Sequence, residues 1–233
     1  MNPTNVIWTC EDFEEYAKQL QDLQECYGGI IPIENLQRRA ADIVNAKKRK
    51  KMSKPICVFG IMNTPKGLKI AEEMRSWLAP VYDLHEVEHD GILFELPALL
   101  EAQRLSRETF RPVLYIHTRG AVNEYIYTVP TRRMWAEEFG RQWQKYFTIA
   151  DKICGAAVVC PFVDYDRETR YNGFVANTQA WNLLDLKPTK DRFDYERLWI
   201  NEPTCEVLGL LINRSERAIK EIRQYLLRNY SQQ

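Results

Sequence analysis

Short apolar stretches alternate with stretches of helical periodicity from Pro55 onward, and this alternation constrains the fold more than any other feature. The segment ICVFGIM, residues 56–62, is apolar, short and followed by a loop, which is typical of a buried parallel strand. Strands that alternate with helices form βαβ units, so we expect an α/β fold with a mainly parallel sheet. The other predicted strands are residues 81–87, 113–117, 153–162 and 205–213, with 171–181 as a strand that enters a turn or a helix.

Helical periodicity fills the intervals between these strands. The sheet is therefore expected to carry flanking helices, and ligands of such sheets bind beyond the carboxyl ends of the strands. One predicted helix places large aromatic side chains in line, namely Trp135, Phe139, Trp143 and Tyr146. The predicted helices are residues 68–78, 94–106 after the proline of that segment, 131–147, and a closing helix from a cap at Ser215 to about Arg228.

The N-terminal part differs in character and is predicted to form a helical extension. Residues 9–26 and a stretch from Glu34 onward show apolar positions at helical spacing, and the second stretch runs into KKRKK at 47–51. We interpret this basic run as a solvated helix end, where cations suit the negative end of the helix dipole. A nucleic-acid patch or a localisation signal is the other interpretation. The predicted division is 1–54 for the extension and 55–233 for the α/β domain.

Charge and hydropathy restrict the classes of partner. The 233-residue chain has 32 Lys and Arg against 32 Asp and Glu, so it lacks a global basic field, and no specific nucleic acid is expected as a partner. No apolar run approaches the ~18 residues of a transmembrane helix, and the N-terminus lacks the pattern of a signal peptide. We therefore expect no membrane span and a cytoplasmic location.

Cysteine and histidine usage does not favour a metal centre. The six cysteines are sparse and lack CxxC spacing, so free thiols are the default expectation in the cytosol. Cys57, Cys154 and Cys160 lie in apolar runs and are predicted to be small buried hydrophobes. The three histidines do not have paired-ligand spacing with cysteines, so a zinc site is not favoured.

Familiar ligand-binding motifs of α/β proteins are absent from the sequence. The chain has no P-loop GxxxxGK(S/T) and no GxSxG nucleophile elbow. The first strand is followed by GIMNTPKG, which does not match the GxGxxG fingerprint of dinucleotide-binding proteins. These absences disfavour P-loop nucleotide hydrolases, α/β-hydrolases and NAD-binding domains.

The third predicted strand, VLYIH at 113–117, ends in the run HTRG, whose residues can do chemistry. Arg119 offers a planar, permanently charged fork that suits phosphate, and Gly120 permits a tight turn with close backbone approach. His117 is interpreted as a proton carrier or as a neutral donor to a ligand. In the alternative interpretation His117 is a core histidine with satisfied hydrogen bonds, and Arg119 is the partner in a surface ion pair.

Two later segments offer carboxylates. Asp164 and Asp166 form a DxD pair after an apolar strand, and carboxylates at this spacing on a loop can hold Mg²⁺ or Mn²⁺ against a diphosphate. An ordinary acidic loop is the competing interpretation. Asp194 and Glu196 in the segment RFDYERLWINE are candidates for a general base, with a surface ion pair between Glu196 and a neighbouring arginine as the alternative.

Taken in order, the segments VLYIHTRGAVN, RRMWAEEF and YNGFVANTQAW resemble a bacterial family of glycosyltransferase-like proteins from surface-polysaccharide gene clusters. That family typically has an apolar strand ending in H-T-(K/R)-G, a downstream Arg and Trp with a helix, and a later F-(N/S)-G segment. The opening strand, helix and strand of the domain are similar to the family as well. The resemblance covers about residues 55–202, and the helical extension falls outside it.

This family is in turn similar to GT-A-type glycosyltransferases, which are single α/β, Rossmann-like domains that use nucleotide-sugar donors. By order along the chain, HTRG stands where those enzymes have a metal-binding DxD strand end, and YNGFVAN stands at a segment that contributes to the sugar site. The resemblance implies that arginines bind the diphosphate where a metal would otherwise do so. The donor-binding residues that it implies are Arg119, Thr118, Gly120, Arg132, Arg133, Asn172 and Gly173.

The resulting hypothesis is a glycosyltransferase that moves a sugar from a nucleotide-diphospho donor to a saccharide or another acceptor. His117 and Glu196 are the catalytic candidates. No cofactor is firmly expected, and Mg²⁺ or Mn²⁺ enters only through the alternative site of Asp164 and Asp166. The second hypothesis is a non-catalytic α/β scaffold or binding protein whose N-terminal helices bind a partner or form a homodimer. A deep pocket at the strand ends would favour the first hypothesis, and a structural ion pair of Arg119 the second.

Overall fold

A six-stranded mixed sheet is the centre of the fold in a computed structural model, which describes residues 54–121, 125–153, 155–164, 169, 173–189, 195, 197–199, 202–215 and 218–231. Pro55–Asp151 and Gly155–Gln233 belong to one compact unit. The predicted helical extension before Lys54 lies outside the described residues.

The strands confirm the predicted α/β class with a mostly parallel sheet. Their order across the sheet is β2-β1-β3-β5-β4-β6. β1 pairs in parallel with β2 and β3, and β4 pairs in parallel with β6, whereas β5 runs antiparallel to both of its neighbours. The strands are β1 (Ile56–Met62), β2 (Asp83–His89), β3 (Val113–His117), β4 (Ala157–Asp164), β5 (Phe174–Ala176) and β6 (Glu206–Ser215).

Helices cover both faces of the sheet, and two separate apolar cores form beneath them. The helices are α1 (Pro65–Leu78), α2 (Leu96–Thr109), α3 (Thr128–Trp135), α4 (Trp143–Lys152), α5 (Thr178–Leu183) and α6 (Ala218–Tyr230). α1 packs against the face that carries Phe59 and Ile116, while α2 packs against the face that carries Val58 and Tyr115. Adjacent residues of one strand point to opposite faces, so each strand contributes to both cores.

Two predicted strands begin at least two residues later than expected, each for a local reason. β2 begins at Asp83 and not at 81, because the N–H groups of Val81 and Tyr82 bond back to the carbonyl of Leu78 at the end of α1. β4 begins at Ala157 and not at 153, because α4 extends to Lys152 and the connection follows it.

The predicted helix over 131–147 is divided into α3, a π-helical segment at Ala136–Arg141 and α4. At the end of this segment the N–H of the next residue, Gln142, bonds to the carbonyl of Glu137, five residues earlier. Tyr82 donates its hydroxyl hydrogen bond to the carbonyl of Phe139 at 2.6 Å. Glu138 of this segment is buried; its carboxylate accepts a hydrogen bond from the hydroxyl of Tyr146 and forms an ion pair with Lys145, both at 2.5 Å.

Cys57 and Cys160 are buried, as predicted, and burial raises the pKa of both thiols, which makes them poor nucleophiles. Cys154 lies outside the described residues. None of the helices in the described part of the chain combines the length and the apolar character that crossing a membrane requires.

The side chain of Asn177 joins three elements at the end of β5. Its Oδ1 accepts hydrogen bonds from the N–H groups of Ala157 and Ala180, both at 3.0 Å, and so caps α5 while bracing the start of β4. Its Nδ2 donates to the carbonyls of Ala150 at 3.1 Å and Gly155 at 2.8 Å. An amide side chain has two acceptor lone pairs and two N–H donors, and these four bonds engage all of them.

We expect Asn177→Ala to lower the free energy of unfolding by about 2–4 kcal/mol, because it leaves buried donors and acceptors unpaired and removes a helix cap. Urea denaturation measures the change. The matched control is Asn182→Ala, since exposed Asn182 accepts one hydrogen bond from Arg107 at 3.0 Å. The control should stay within about 0.5 kcal/mol of the wild type. Equal losses in the two variants would contradict the role of Asn177.

Candidate functional site

The sheet has a topological switch point between β1 and β3. The connection that leaves β1 passes through α1 on one face, and the connection that enters β3 passes through α2 on the opposite face. The direction of the connections therefore reverses beside β1, and the region beyond the carboxyl ends of β1 and β3, called the crevice below, is the usual place for a ligand in an open α/β sheet. His117, the first residue of HTRG, is the last residue of β3 and lies at this crevice.

Thr118 joins the two strands that border the crevice. Its N–H donates to the carbonyl of Gly60 at 2.9 Å, and its Oγ1 accepts from the N–H of Met62 at 2.9 Å. The side chain is buried, with only 5% of the residue exposed. Thr118 was predicted to bind the donor, and the structure gives its hydroxyl oxygen a bond within the protein, across the ends of β3 and β1.

Gly120 and Arg132 shape the turn after β3. Gly120 has φ of +90°, and a Cβ at this position would lie 2.3 Å from Cγ2 of Thr128. The close backbone approach predicted for Gly120 is therefore an approach to its own chain. Arg132 is buried, donates through Nη1 to the carbonyl of Arg119 at 3.1 Å, and pairs through Nε with Glu73 at 3.2 Å.

The three arginines of the predicted diphosphate site are not equivalent. Arg119 lies half-buried in the turn itself, with its N–H bonded to the carbonyl of His117 at 2.8 Å. Arg132 reaches the same turn, but Glu73 of α1 already pairs with its guanidinium. Arg133 donates through Nη1 to the carbonyl of Tyr230 in α6 at 2.9 Å. The structure thus groups Arg119 with Arg132 and directs a hydrogen bond of Arg133 to the last helix.

His117 is largely enclosed by side chains from two helices and its own strand. Its Nδ1 lies 3.8 Å from Oε1 of Glu95, which directly precedes α2, and the side chains are 12% and 22% exposed. The edge of Trp135 in α3 meets the imidazole at 5.8 Å between ring centroids and 86° between planes. Tyr115 lies at 6.2 Å. Glu95 carries no motif or spacing signal, so sequence reasoning had no means to find it.

The antiparallel direction of β5 brings a distant segment to the same place. Tyr115 of β3 pairs with Phe174 of β5, so Gly173 lies beside the carboxyl end of β3. A Cβ on Gly173 would lie 2.7 Å from Nε1 of Trp135, the same ring that meets His117. HTRG and the start of β5, which are more than fifty positions apart in the chain, therefore meet at one edge of the sheet.

An open cavity of about 300 Å³ lies at the carboxyl ends of β1 and β2. His89 closes one side of it, and burial lowers the pKa of this histidine, with the nearby charge of Asp90 acting in the opposite direction. The Nδ1 atom of His89 is buried and has no hydrogen-bond partner in the described part of the chain. The cavity is lined by Asn63, Glu88, His89, Asp90, Leu93 and Pro97.

The structure describes one of the four remaining predicted site residues. Asn172, Asp166 and Glu196 lie outside the described residues, and Asp164 is the last residue of β4. Among the residues that the structure describes, no group of three His, Cys, Asp or Glu side chains could hold a metal ion. The Mg²⁺ or Mn²⁺ site of Asp164 and Asp166 remains a prediction.

Fold and crevice together define the class, an α/β protein with a mixed sheet and a candidate ligand site at its switch point. Comparisons with protein-family models, curated proteins and solved structures find no match for this chain. The site is therefore interpreted from its own geometry.

Gly173→Ala should lower the free energy of unfolding by about 1–3 kcal/mol, because the added methyl group meets the indole of Trp135. Urea denaturation again gives the value. Gly155→Ala is the matched control, since a Cβ at Gly155 meets nothing within 4 Å. If Gly173→Ala is as stable as Gly155→Ala, Gly173 is not a close contact of Trp135.

His89 should make stability depend on pH. The pKa of His89 is lower in the folded state than in the unfolded chain, so the unfolded chain binds the proton at higher pH. Neutral His89 therefore contributes stability above about pH 6.5, and this contribution is lost as the pH falls from there to the folded-state pKa. We expect His89→Gln to reduce the loss of unfolding free energy between about pH 7.5 and about pH 5.5, measured by urea denaturation. His85→Gln, on the same strand, is the comparison. An unchanged pH dependence in His89→Gln would contradict the expectation.

Proposed function

We propose that the chain is a glycosyltransferase that moves a sugar from a nucleotide-diphospho donor to a saccharide or another acceptor. The observation that carries this proposal is the meeting of HTRG with the start of β5 at the switch point of the sheet. These are two of the three segments on which the resemblance to glycosyltransferase-like proteins rests. By order along the chain, they stand where GT-A-type enzymes bind the diphosphate and the sugar. An α/β sheet that is parallel apart from one inner strand is compatible with a GT-A-type, Rossmann-like domain.

The diphosphate is assigned to the turn after β3. Arg119 supplies a permanent positive charge and a planar fork, which suit phosphate oxygens. Arg132 stabilises that turn by donating a hydrogen bond to the carbonyl of Arg119, and its charge is offset by the ion pair with Glu73. The N-terminus of α1, which follows β1 directly, adds the positive end of a 14-residue helix at this edge. In this proposal the transfer does not require a metal.

The reaction is a displacement at the anomeric carbon of the donor sugar. The bond from this carbon to the diphosphate oxygen breaks as a hydroxyl of the acceptor attacks, and the diphosphate leaves with the electron pair. Fixed positive charge near the leaving oxygens stabilises the charge that develops there. His117 lies at the same edge and is the described candidate for the proton transfer. The cavity beside β1 and β2 offers room for another part of the donor.

The alternative function is a non-catalytic α/β scaffold or binding protein. The observations that favour it are the contacts within the protein that Thr118, Gly120 and Arg132 make at this turn. In that case HTRG would be a folding motif, and the N-terminal helices would bind a partner or a second copy of the chain.

Isothermal titration of the full chain with a panel of UDP-, GDP- and CMP-sugars tests the proposal. We expect at least one of them to bind, and Arg119→Ala to weaken that binding by about tenfold or more, because a charge-assisted contact to the diphosphate is lost. Arg141→Ala is the control, since the Arg141 side chain is 82% exposed and pairs with Glu137.

Two outcomes would favour the scaffold. The first is that none of the nucleotide sugars binds. The second is that a nucleotide sugar binds and that neither Arg119→Ala nor Arg141→Ala weakens the binding. This result would mean that the diphosphate does not bind at the turn after β3.

A further inference from the structure

Glu95 and His117 come from different elements and meet inside the crevice. Glu95 precedes α2 and His117 ends β3, yet Oε1 and Nδ1 are 3.8 Å apart. Both side chains are mostly shielded from solvent, at 22% and 12% exposure. Two groups that can ionise are therefore held together where water screens their interaction poorly.

The rest of the surroundings restrict the imidazole. Trp135 meets the ring edge-on, Tyr115 lies beside it on the same strand, and Gly60 of β1 is opposite. Gly60 is itself close, because a Cβ there would lie 3.4 Å from Cβ of His117. These neighbours limit rotation of the imidazole ring. The imidazole is thus held with its Nδ1 toward the carboxylate.

A carboxylate beside Nδ1 has a defined effect on a histidine. At 3.8 Å the two atoms are at ion-pair distance and longer than a hydrogen bond, so the carboxylate acts through its charge, which favours the tautomer with the N–H on Nδ1, facing Glu95. The second nitrogen, Nε2, then has an unshared electron pair and can accept a proton. The carboxylate also stabilises the imidazolium that forms when Nε2 has accepted it.

We propose that Glu95 is a positioning residue that orients His117, and that His117 Nε2 is the general base of the sugar transfer. As the acceptor oxygen forms its bond to the anomeric carbon, its proton moves to Nε2, and the bond to the diphosphate breaks. Glu95 remains ionised throughout and does not take the proton. The reaction step rests on the function proposed above, whereas the pairing of the two side chains does not.

The tautomer of His117 tests the pairing without any substrate. The full chain is labelled with ¹⁵N-histidine, and a long-range ¹H–¹⁵N correlation spectrum is recorded at about pH 8, where free imidazole is neutral. With three histidines in the chain, His85→Gln and His89→Gln assign the remaining signal to His117. We expect His117 to carry its proton on Nδ1 in the wild type and to become a tautomer mixture in Glu95→Gln.

The same samples give the titration of His117. Its midpoint should fall by roughly 0.5 to 1 pH unit in Glu95→Gln, because the carboxylate that stabilises the imidazolium is gone. Glu108→Gln is the matched control on the same helix, since exposed Glu108 pairs with Arg104. A wild-type His117 protonated on Nε2, or a titration that Glu95→Gln leaves in place, would overturn the pairing. The first of these results does not depend on whether Glu95→Gln folds.

Activity tests the catalytic step separately. With the nucleotide sugar found to bind, Glu95→Gln should lower kcat roughly tenfold or more, leave KM nearly unchanged, and move the acid limb of the pH profile to lower pH. Glu108→Gln should leave all three unchanged. An unaltered kcat and acid limb in Glu95→Gln would overturn the role of the pair in catalysis. Failure of every nucleotide sugar to bind would instead reject the proposed function, and the tautomer result would still report on the pair.

Discussion

The hydrogen bonds of Thr118 are the interaction on which the crevice depends. They connect the residue after β3 to the carbonyl of Gly60 and the N–H of Met62, and so extend the pairing of β3 and β1 past the end of the ladder. Because Thr118 is buried, breaking these bonds would leave unpaired backbone groups at the switch point. Their effect is to place the next residue, Arg119, at a defined position beyond the sheet.

A second constraint comes from the only antiparallel strand in the described sheet. β5 enters between β3 and β4 in the reverse direction, which brings Gly173 to the carboxyl end of β3. The indole of Trp135 lies between these two segments and contacts both Gly173 and His117. Both motifs of the candidate site therefore pack against Trp135. A change in core packing beneath one motif should alter the position of the other.

The elements that could be predicted are those whose structure is defined by residues close together in the sequence. β1 and β3 are found at the predicted residues, because an apolar run bounded by turn residues is enough to define a buried strand. Residues 171–181 were predicted as a strand that enters a turn or a helix, and they contain β5 and the start of α5. The π-helical segment was missed, and one of its carbonyls, that of Phe139, accepts a hydrogen bond from the hydroxyl of Tyr82, fifty-seven positions away. Helical periodicity does not carry such a contact.

The sequence by itself determined the alternation of elements and placed HTRG at the end of a buried strand. These follow from hydrophobic patterning and from backbone preferences, such as the φ of +90° that Gly120 supplies. Only the tertiary structure decided what the polar residues of the site do. Arg132 is paired with Glu73, and His117 faces Glu95, because helices from other parts of the chain deliver those carboxylates. A side chain's type limits its chemistry, whereas its partner is set by packing between elements that lie far apart in the sequence.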